Sequence, residues 1–364
     1  MYDLVVVGGG PAGSRLARKT AERDLDVVLL EKGEVGLPLA CSGHLSGEIW
    51  DFLPESARSL VENEIRGARF HVGDSTYTFY SDSTVSYALD RVEMDRILAR
   101  EAEKAGATVL ERHEATSLSV DTSTVEVSTH DDVFESRLVA GCDGPFSTVR
   151  ESLGFDDPGE ILHGFLGFSD EDGTGDFVDV YLDVPGFFGW RIPRGDSVEY
   201  GAASRSHVRE KFETYVSPNA DLRDVCGGGI PLVPPSETAD SERRAFLVGD
   251  AAAQVKPFTG GGIIYGMTAA DIAAEVIDPR KPGTLAEYET QWRDTLGREI
   301  LLGRLIRRFY ELPPSVQKTV LGVFEGEIYV DMDRPTSLFN RRTAKRVLGN
   351  LTGRVANFDN PSTQ

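Results

Sequence analysis

A short apolar run, Asp3 to Val7, ends directly on Gly8, Gly10 and Gly13, and the residues that follow, Pro11 to Glu22, have helical character. A G-x-G-x-x-G spacing between a strand and a helix constrains the backbone more than any other feature of the chain. Gly8 permits a tight turn, Gly10 lets the main chain approach a pyrophosphate, and Gly13 allows close helix–strand packing, with Ala12 beside them. The helix N-terminus behind the loop offers unpaired N–H groups and a positive dipole end to an anion. A second apolar run, Val27 to Leu30, ends on Glu31, eighteen residues after Gly13. A carboxylate there can accept hydrogen bonds from the ribose hydroxyls of an adenosine. This βαβ unit predicts an α/β fold that opens with a dinucleotide-binding half, and taken alone it admits a nicotinamide or a flavin dinucleotide equally.

Composition narrows the class. Over 364 residues, 59 Asp and Glu stand against 38 Lys and Arg, a formal charge of −21, which repels a nucleic-acid backbone and argues against such a partner. Only eight of the basic residues are lysines (19, 32, 104, 211, 256, 281, 318 and 345). High acidity with scarce lysine resembles the proteins of halophilic archaea, whose carboxylate-rich surfaces stay hydrated in salt; an ordinary acidic protein is the plainer alternative. Cys41, Cys142 and Cys226 are far apart and lack CxxC spacing, so neither a disulfide framework nor a metal site is indicated and the compartment reads as reducing. The first strand begins almost at the initiator, and no run approaches the roughly eighteen apolar residues of a membrane span. The expectation is a cytoplasmic protein, soluble or peripheral at the inner face of the membrane.

Further along, Gly33 to Gly47 reads as a loop, Ile49 to Glu64 as loosely helical, and Ile65 to Tyr87 as alternating, antiparallel strands. Arg91 to Ala105 is a predicted helix with Met94, Ile97, Leu98 and Ala102 on one face and Gly106 as its stop. Strands are predicted at Ala107 to Leu110, Ala115 to Val120, Val125 to Thr129, Arg137 to Ala140, Phe177 to Leu182 and Trp190 to Pro193. Another, Ala245 to Val248, leads through glycines into a small-residue helix, Gly262 to Val276. From Thr284 onward, Ile300, Leu301, Leu305, Ile306 and Phe309 recur at helical spacing, and beyond Asn357 the tail reads as disordered. The predicted organisation is a discontinuous dinucleotide-binding domain (1–65, 88–160 and 240–280), an interleaved antiparallel substrate-binding domain (66–87 and 161–239) and a C-terminal helical region (281–364).

Two more constellations follow strands. Gly141-Cys142-Asp143-Gly144 comes with Ser147, Val149 and Arg150; Gly249-Asp250 precedes Pro257 and Gly260-Gly261-Gly262. With the first glycine loop, their order and spacing resemble the FAD-dependent p-hydroxybenzoate hydroxylase superfamily. The resemblance implies FAD as the cofactor and an α/β fold, α+β overall, in which a Rossmann-like domain is interleaved with an antiparallel sheet. It implies that Asp250 accepts a hydrogen bond from a ribityl hydroxyl, and that Gly262 and Ile263 offer backbone donors to the flavin ring from a helix end that stabilises negative charge. Arg91 is then near the phosphates and ribityl chain, and the backbone of Ala115 meets the adenine. Read as residues alone, Arg91 has a surface ion pair with Glu93 or Asp95 as its alternative, and Asp250 a helix N-cap.

Three stretches narrow the resemblance to the geranylgeranyl reductases, including the archaeal digeranylgeranylglycerophospholipid reductases. They are Pro38 to Gly43 with Ser46, Phe188 to Pro193 with Gly195, and Pro257 to Ile263. The likeness implies that Cys41, Ser42 and Gly43 lie beside the flavin ring, Cys41 as a catalytic proton donor or a residue that shapes the pocket. A small buried hydrophobe is its plainer role. Phe188, Trp190 and Pro193 are implied to wall a pocket for an isoprenoid chain, although strand aromatics are more often core. Gly260-Gly261-Gly262 departs from the family's commoner Gly-acid-Gly pattern, which leaves the substrate open between membrane-lipid precursors and prenylated quinones.

The reaction so implied is reduction of isolated C=C bonds in a geranylgeranyl chain, with NAD(P)H or a ferredoxin-like carrier as external electron donor. A monooxygenase of the same superfamily and a non-catalytic FAD-stabilised scaffold or electron-transfer adaptor are the alternatives. Residues 291–354 hold twelve Lys or Arg against seven Asp or Glu, a balance of +5 that leaves −26 for the rest. A basic end on an acidic protein suggests contact with anionic lipid; pairing of those cations with the acidic body is the alternative.

Overall fold

Alternate residues of the first strand, Tyr2–Val7, face opposite sides, so that Leu4 and Val6 enter one core and Val5 and Val7 another. A strand covered on both faces requires this. In the computed structural model, which describes residues 1–39, 41–216, 221–327 and 333–339, that strand is central to an eight-stranded sheet. It pairs in parallel with Val27–Leu30 and with Val133–Gly141, and the row extends to Thr108–Leu110 at one edge and to Ala245–Leu247 and Ala239–Asp240 at the other. A hairpin, Ser117–Val120 with Val125–Ser128, pairs antiparallel with the start of Val133–Gly141. Ala40 of the predicted flavin loop and the tail beyond Asn357 lie outside the described residues.

Helix α1 (Pro11–Ala21) starts directly after Gly10, with proline at its first position, where the missing N–H costs no hydrogen bond. Helix α2 (Arg91–Lys104) is capped by Asp90, whose carboxylate accepts from the Glu93 N–H at 3.0 Å. Two short helices follow, α3 (Thr148–Ser152) and α4 (Val208–Tyr215). In α5 (Ile263–Val276) small residues permit a close approach to α1: a Cβ on Gly266 would come within 3.1 Å of the Gly249 Cα and 3.3 Å of the Ala12 methyl. Helix α6 (Leu285–Arg307) buries Tyr288 and Trp292 in the same core as Leu4 and Leu16. Helix α7 (Pro314–Phe324) lies on the second sheet.

That sheet also has eight strands, in the order Arg223–Pro231, Ile161–Ser169, Val198–Ser204, Gly189–Pro193, Phe177–Tyr181, Gly67–Val72, Ser75–Tyr80 and Gly326–Glu327. The sequence predicts antiparallel pairing here. Two links are parallel instead, Phe177–Tyr181 with Gly67–Val72 and Ser75–Tyr80 with Gly326–Glu327, because these partners are joined by long excursions rather than by hairpins. A small antiparallel sheet of His44–Ser46, Ser86–Leu89 and Val61–Ile65 joins the two large ones. Its Leu89 packs with Met94 of α2 and Ile264 of α5, and its Ile65 and Ala88 pack with Val178 and Ile192 of the second sheet.

Ile49 to Glu64 is helical only in part: the chain makes two short 3-10 helical turns, Gly47–Asp51 and Glu55–Leu60, and then, where helix was expected, the strand Val61–Ile65. Pro54 separates the turns and has no N–H to continue a helix.

Candidate active site

One cavity of about 1340 Å³ runs between the two large sheets, above the ~300–1,000 Å³ of ordinary small-molecule sites. Its polar end is the glycine loop. Gly8 adopts φ +104°, and a Cβ there would strike the Cys142 carbonyl at 2.4 Å. A Cβ on Gly13 would meet the Gly8 oxygen at 2.0 Å, whereas Gly10 faces open space. Gly8 and Gly13 are thus required by packing, while Gly8, Gly10 and Ala12 line the cavity and Gly13 does not. Glu31 lines it too, and holds the loop by accepting from the Gly9 N–H at 2.7 Å and the Gly33 N–H at 3.1 Å.

Deeper in, Arg91 at the start of α2 pairs with Asp95 one turn on, Nη2 to Oδ2 at 2.9 Å, with both side chains nearly inaccessible. The ion pair with Asp95 is therefore present, but buried in the cavity wall rather than on the surface. Arg91 Nε, Asp95 Oδ1 and Asp143 Oδ1 are buried polar atoms without a partner among the described residues, and all three side chains line the cavity. Unmet donors and acceptors of this kind fit a polar ligand. Burial pushes the Asp95 carboxyl up to about 6, against the opposing pull of Arg91, and Asp250 likewise to about 6. Asp250 is not the N-cap of α5, a place taken by Gly262. A Cβ on Gly262 would lie 2.6 Å from Asp250 Oδ1, so the glycine keeps that carboxylate open to the cavity beside Ile263. Ala115 lines the far polar end, next to His113 and Glu114.

Cys41 and Ser42 line the middle of the cavity; Gly43 does not, since it turns the loop at φ +67° against the Leu89 carbonyl. The loop is fixed from the second sheet. Arg194 donates from Nη1 to the Ser42 carbonyl at 2.6 Å, from Nη2 to the Leu89 carbonyl at 2.6 Å, and pairs with Glu199 at 2.9 Å. Trp190 Nε1 donates to the other oxygen of Glu199 at 2.8 Å, so one buried carboxylate orients both the loop and an aromatic wall. Burial raises the Cys41 thiol above its ordinary 9.0 despite Arg91, and keeps it protonated at neutral pH. Beside it, His44 contacts Ser86 Oγ at 2.7 Å and is driven down to about 4 by burial and then by Lys256 and Arg194, so its imidazole is neutral. Lys256 and Asp333 form a buried pair at 2.5 Å.

The other end is apolar. Phe188 and Trp190 pack edge to face with centroids 6.0 Å apart, and Tyr310, from the turn after α6, closes on Phe188 at 5.6 Å. Val178 and Val180 of the second sheet and Leu321 and Phe324 of α7 complete this lobe. Pro193 is excluded from it: it is buried at a strand end, and its carbonyl accepts from Asn63 Nδ2 at 3.0 Å. Among groups the sequence reading left without a role are Asp95, Asp143, His44, Lys256, Arg194 and Glu199. The spacing of Arg91 and Asp95 on one helix face signalled the first, and the Cys142-Asp143-Gly144 motif the second.

A Rossmann-like domain whose glycine loop opens into a cavity with these donors defines an FAD-binding flavoprotein, and the FAD binding domain family matches residues 1–169. The chain is 32% identical over 347 residues to digeranylgeranylglycerophospholipid reductase of Methanothrix thermoacetophila, with 85% of this chain and 87% of that protein covered. To the protein of the same name from Methanosarcina acetivorans it is 29% identical over 348 residues, covering 85% of each. The crystal structure of a geranylgeranyl bacteriochlorophyll reductase-like protein from Thermoplasma acidophilum shares the fold, with TM-score 0.81, 22% identity, and 97% of this chain and 98% of that one covered. The chain belongs to the digeranylgeranylglycerophospholipid reductase family and is an FAD-dependent oxidoreductase.

Proposed function

We propose that the protein saturates isolated C=C bonds in the geranylgeranyl chains of archaeal membrane-lipid precursors, with prenylated quinones as the alternative substrate. The observation that carries this reading is the continuity of one cavity from the glycine loop, past Cys41, into the apolar lobe around Phe188 and Trp190. The residues toward the polar end, Gly8, Gly10, Ala12, Glu31, Arg91, Ala115, Asp250, Gly262 and Ile263, would hold FAD, which, once reduced by the external donor, would supply a hydride to one alkene carbon. An unactivated alkene has no carbonyl to polarise, so the protein must contribute position, dryness and a proton. The aromatic lobe excludes water and aligns the chain. The Cys41 thiol, protonated through the neutral range, is the proposed source of the proton for the second alkene carbon. Arg194 and Glu199 hold its loop in place.

In this reading the segments 1–65, 88–160 and 240–280 form the FAD-binding domain, and 66–87 with 161–239 the substrate domain. Reducing equivalents come from NAD(P)H or a ferredoxin-like carrier. No helix among the described residues is long and apolar enough to cross a membrane, in keeping with a cytoplasmic enzyme that meets its lipid at the inner face. The test is anaerobic incubation of dithionite-reduced protein with an unsaturated archaeal lipid. Mass gains of about 2 Da per double bond are expected; oxygen uptake with a hydroxylated product would replace the reductase by a monooxygenase.

A further inference from the structure

The apolar lobe opens on one surface. Leu305, near the end of α6, and Leu312, between α6 and α7, both line the cavity, yet they are 51% and 40% exposed. Leu301, one helical turn before Leu305, is 59% exposed, and Val316, in the first turn of α7, is 40% exposed. Four large apolar side chains left in water within one short stretch of chain mark a contact surface rather than scattered exposure.

The charge around that opening is equally unusual. Lys32, Arg280, Arg298, Arg304, Arg308 and Lys318 are the described Lys and Arg side chains with neither an ion pair nor a hydrogen bond among the described residues, and the last four belong to this stretch. Pairing with the acidic body does account for Arg293, Arg307 and Arg334, held by Glu289, Glu160 and Glu48. It does not account for these four. On a chain of charge −21, unpaired cations around exposed leucines complement a surface that is anionic outside and apolar within.

We infer that the outer surface of α6 and α7 docks on an anionic phospholipid bilayer, and that the prenyl chain passes from the bilayer into the cavity between Leu305 and Leu312. The inference rests on the reading that the cavity takes a prenyl lipid. Arg298 and Arg304 lie outside the cavity lining, on the face of α6 that carries Leu301 and Leu305, and meet headgroups; Leu301 and Val316 enter the acyl boundary beneath them. Near an anionic surface each cation contributes about 1 kcal/mol, roughly fivefold in partitioning.

The test is co-sedimentation of the FAD-loaded protein with vesicles of phosphatidylglycerol and of phosphatidylcholine. Binding to the former is expected to exceed binding to the latter. Arg298→Gln with Arg304→Gln should weaken phosphatidylglycerol binding about thirtyfold at low salt and much less at ~1 M, where the Debye length is about 3 Å. Leu301→Asp with Val316→Asp should lower binding more than tenfold at either salt, while Val133→Asp, at an exposed site on the first sheet, should not. Flavin content and melting temperature confirm that each variant is folded. Equal binding to both vesicle types, or unchanged binding of both double variants, overturns the proposal. So does a concentration-dependent dimer that the leucine and valine substitutions abolish, which would assign the surface to a second copy. Reduction of a detergent-dispersed prenyl lipid by protein that ignores vesicles refutes the docking surface alone; vesicle binding without reduction of any prenyl lipid refutes the reductase reading alone.

Discussion

Replacing Asp250 by Asn should stabilise the flavin-free protein and weaken its hold on FAD, two effects of opposite sign from one substitution. Burial lifts the Asp250 carboxyl from 3.8 to about 6, with Arg91 pulling the other way. In the unfolded chain the group ionises near its ordinary ~3.9. Between these values the folded protein keeps a proton that the unfolded chain has released, so this residue's contribution to stability falls as pH rises from about 4 to about 6 and stays low above that. Two pH units at about 1.4 kcal/mol each give a cost near 3 kcal/mol at neutral pH, an upper figure because the cavity admits water. Asparagine reproduces the protonated shape without the charge. The apoprotein of Asp250→Asn should therefore melt several degrees higher than the wild type at neutral pH, and the gain should vanish near pH 4. FAD should bind about tenfold more weakly or worse, as a charge-assisted acceptor for a hydroxyl is lost. Scanning calorimetry of both apoproteins across pH and flavin titration supply the readouts. An apoprotein no more stable than wild type at neutral pH, or a gain independent of pH, would refute the reasoning.

The glycines of the first loop should separate by function. Gly13→Ala places a methyl on the Gly8 carbonyl and should cost several kcal/mol in denaturant unfolding of the apoprotein. Gly10→Ala meets open space and should leave that midpoint nearly unchanged while lowering flavin affinity. Lys256→Met removes the cation paired with buried Asp333 and should lower the melting temperature, and a double-mutant cycle with Asp333→Leu, read by thermal melting of the three variants, should show a favourable coupling between the two side chains. Because burial holds the Cys41 thiol above 9.0, the rate of alkene reduction should be flat through the neutral range and decline only at strongly alkaline pH. Cys41→Ser should be slower throughout and lose the alkaline decline, which a pH profile of single-turnover reduction checks.

The parts of the fold legible in the sequence are those set by neighbours along the chain. Leu4 to Val7, the glycine loop and Glu31 lie within thirty-odd residues, and their backbone demands, a positive φ at Gly8 and a helix packed on the Gly8 carbonyl at Gly13, are written directly in residue type. Helix α2 was equally readable, from its period and from Gly106, which stops it at φ +108°. Ile49 to Glu64 misled only over its last residues, because the strand Val61–Ile65 is fixed by pairing with Ser86–Leu89, a contact absent from the local pattern. Pro193 misled differently. It shares a strand with Trp190, but residues three apart on a strand point to opposite faces, so a wall residue at 190 places 193 on the other side.

The polar groups that fix the middle of the site were hidden because their partners are distant. Arg194 reaches Ser42 across 152 positions and Leu89 across 105, and Lys256 reaches Asp333 across 77. Each reads locally as an ordinary surface charge, and nothing in residue type says that Arg194 and Glu199 are 6% and 0% exposed. Burial changes what they can do. A cation that donates to one carbonyl of the Cys41 loop and to one of the small sheet locks that loop to the aromatic strand, so the proposed proton donor and the substrate wall move as one body. The position of an alkene relative to Cys41 is then set less by the residues it touches than by this buried cross-link. Glu199→Gln, which leaves the shape intact but removes the charge opposite Arg194, should loosen both ends of the site together.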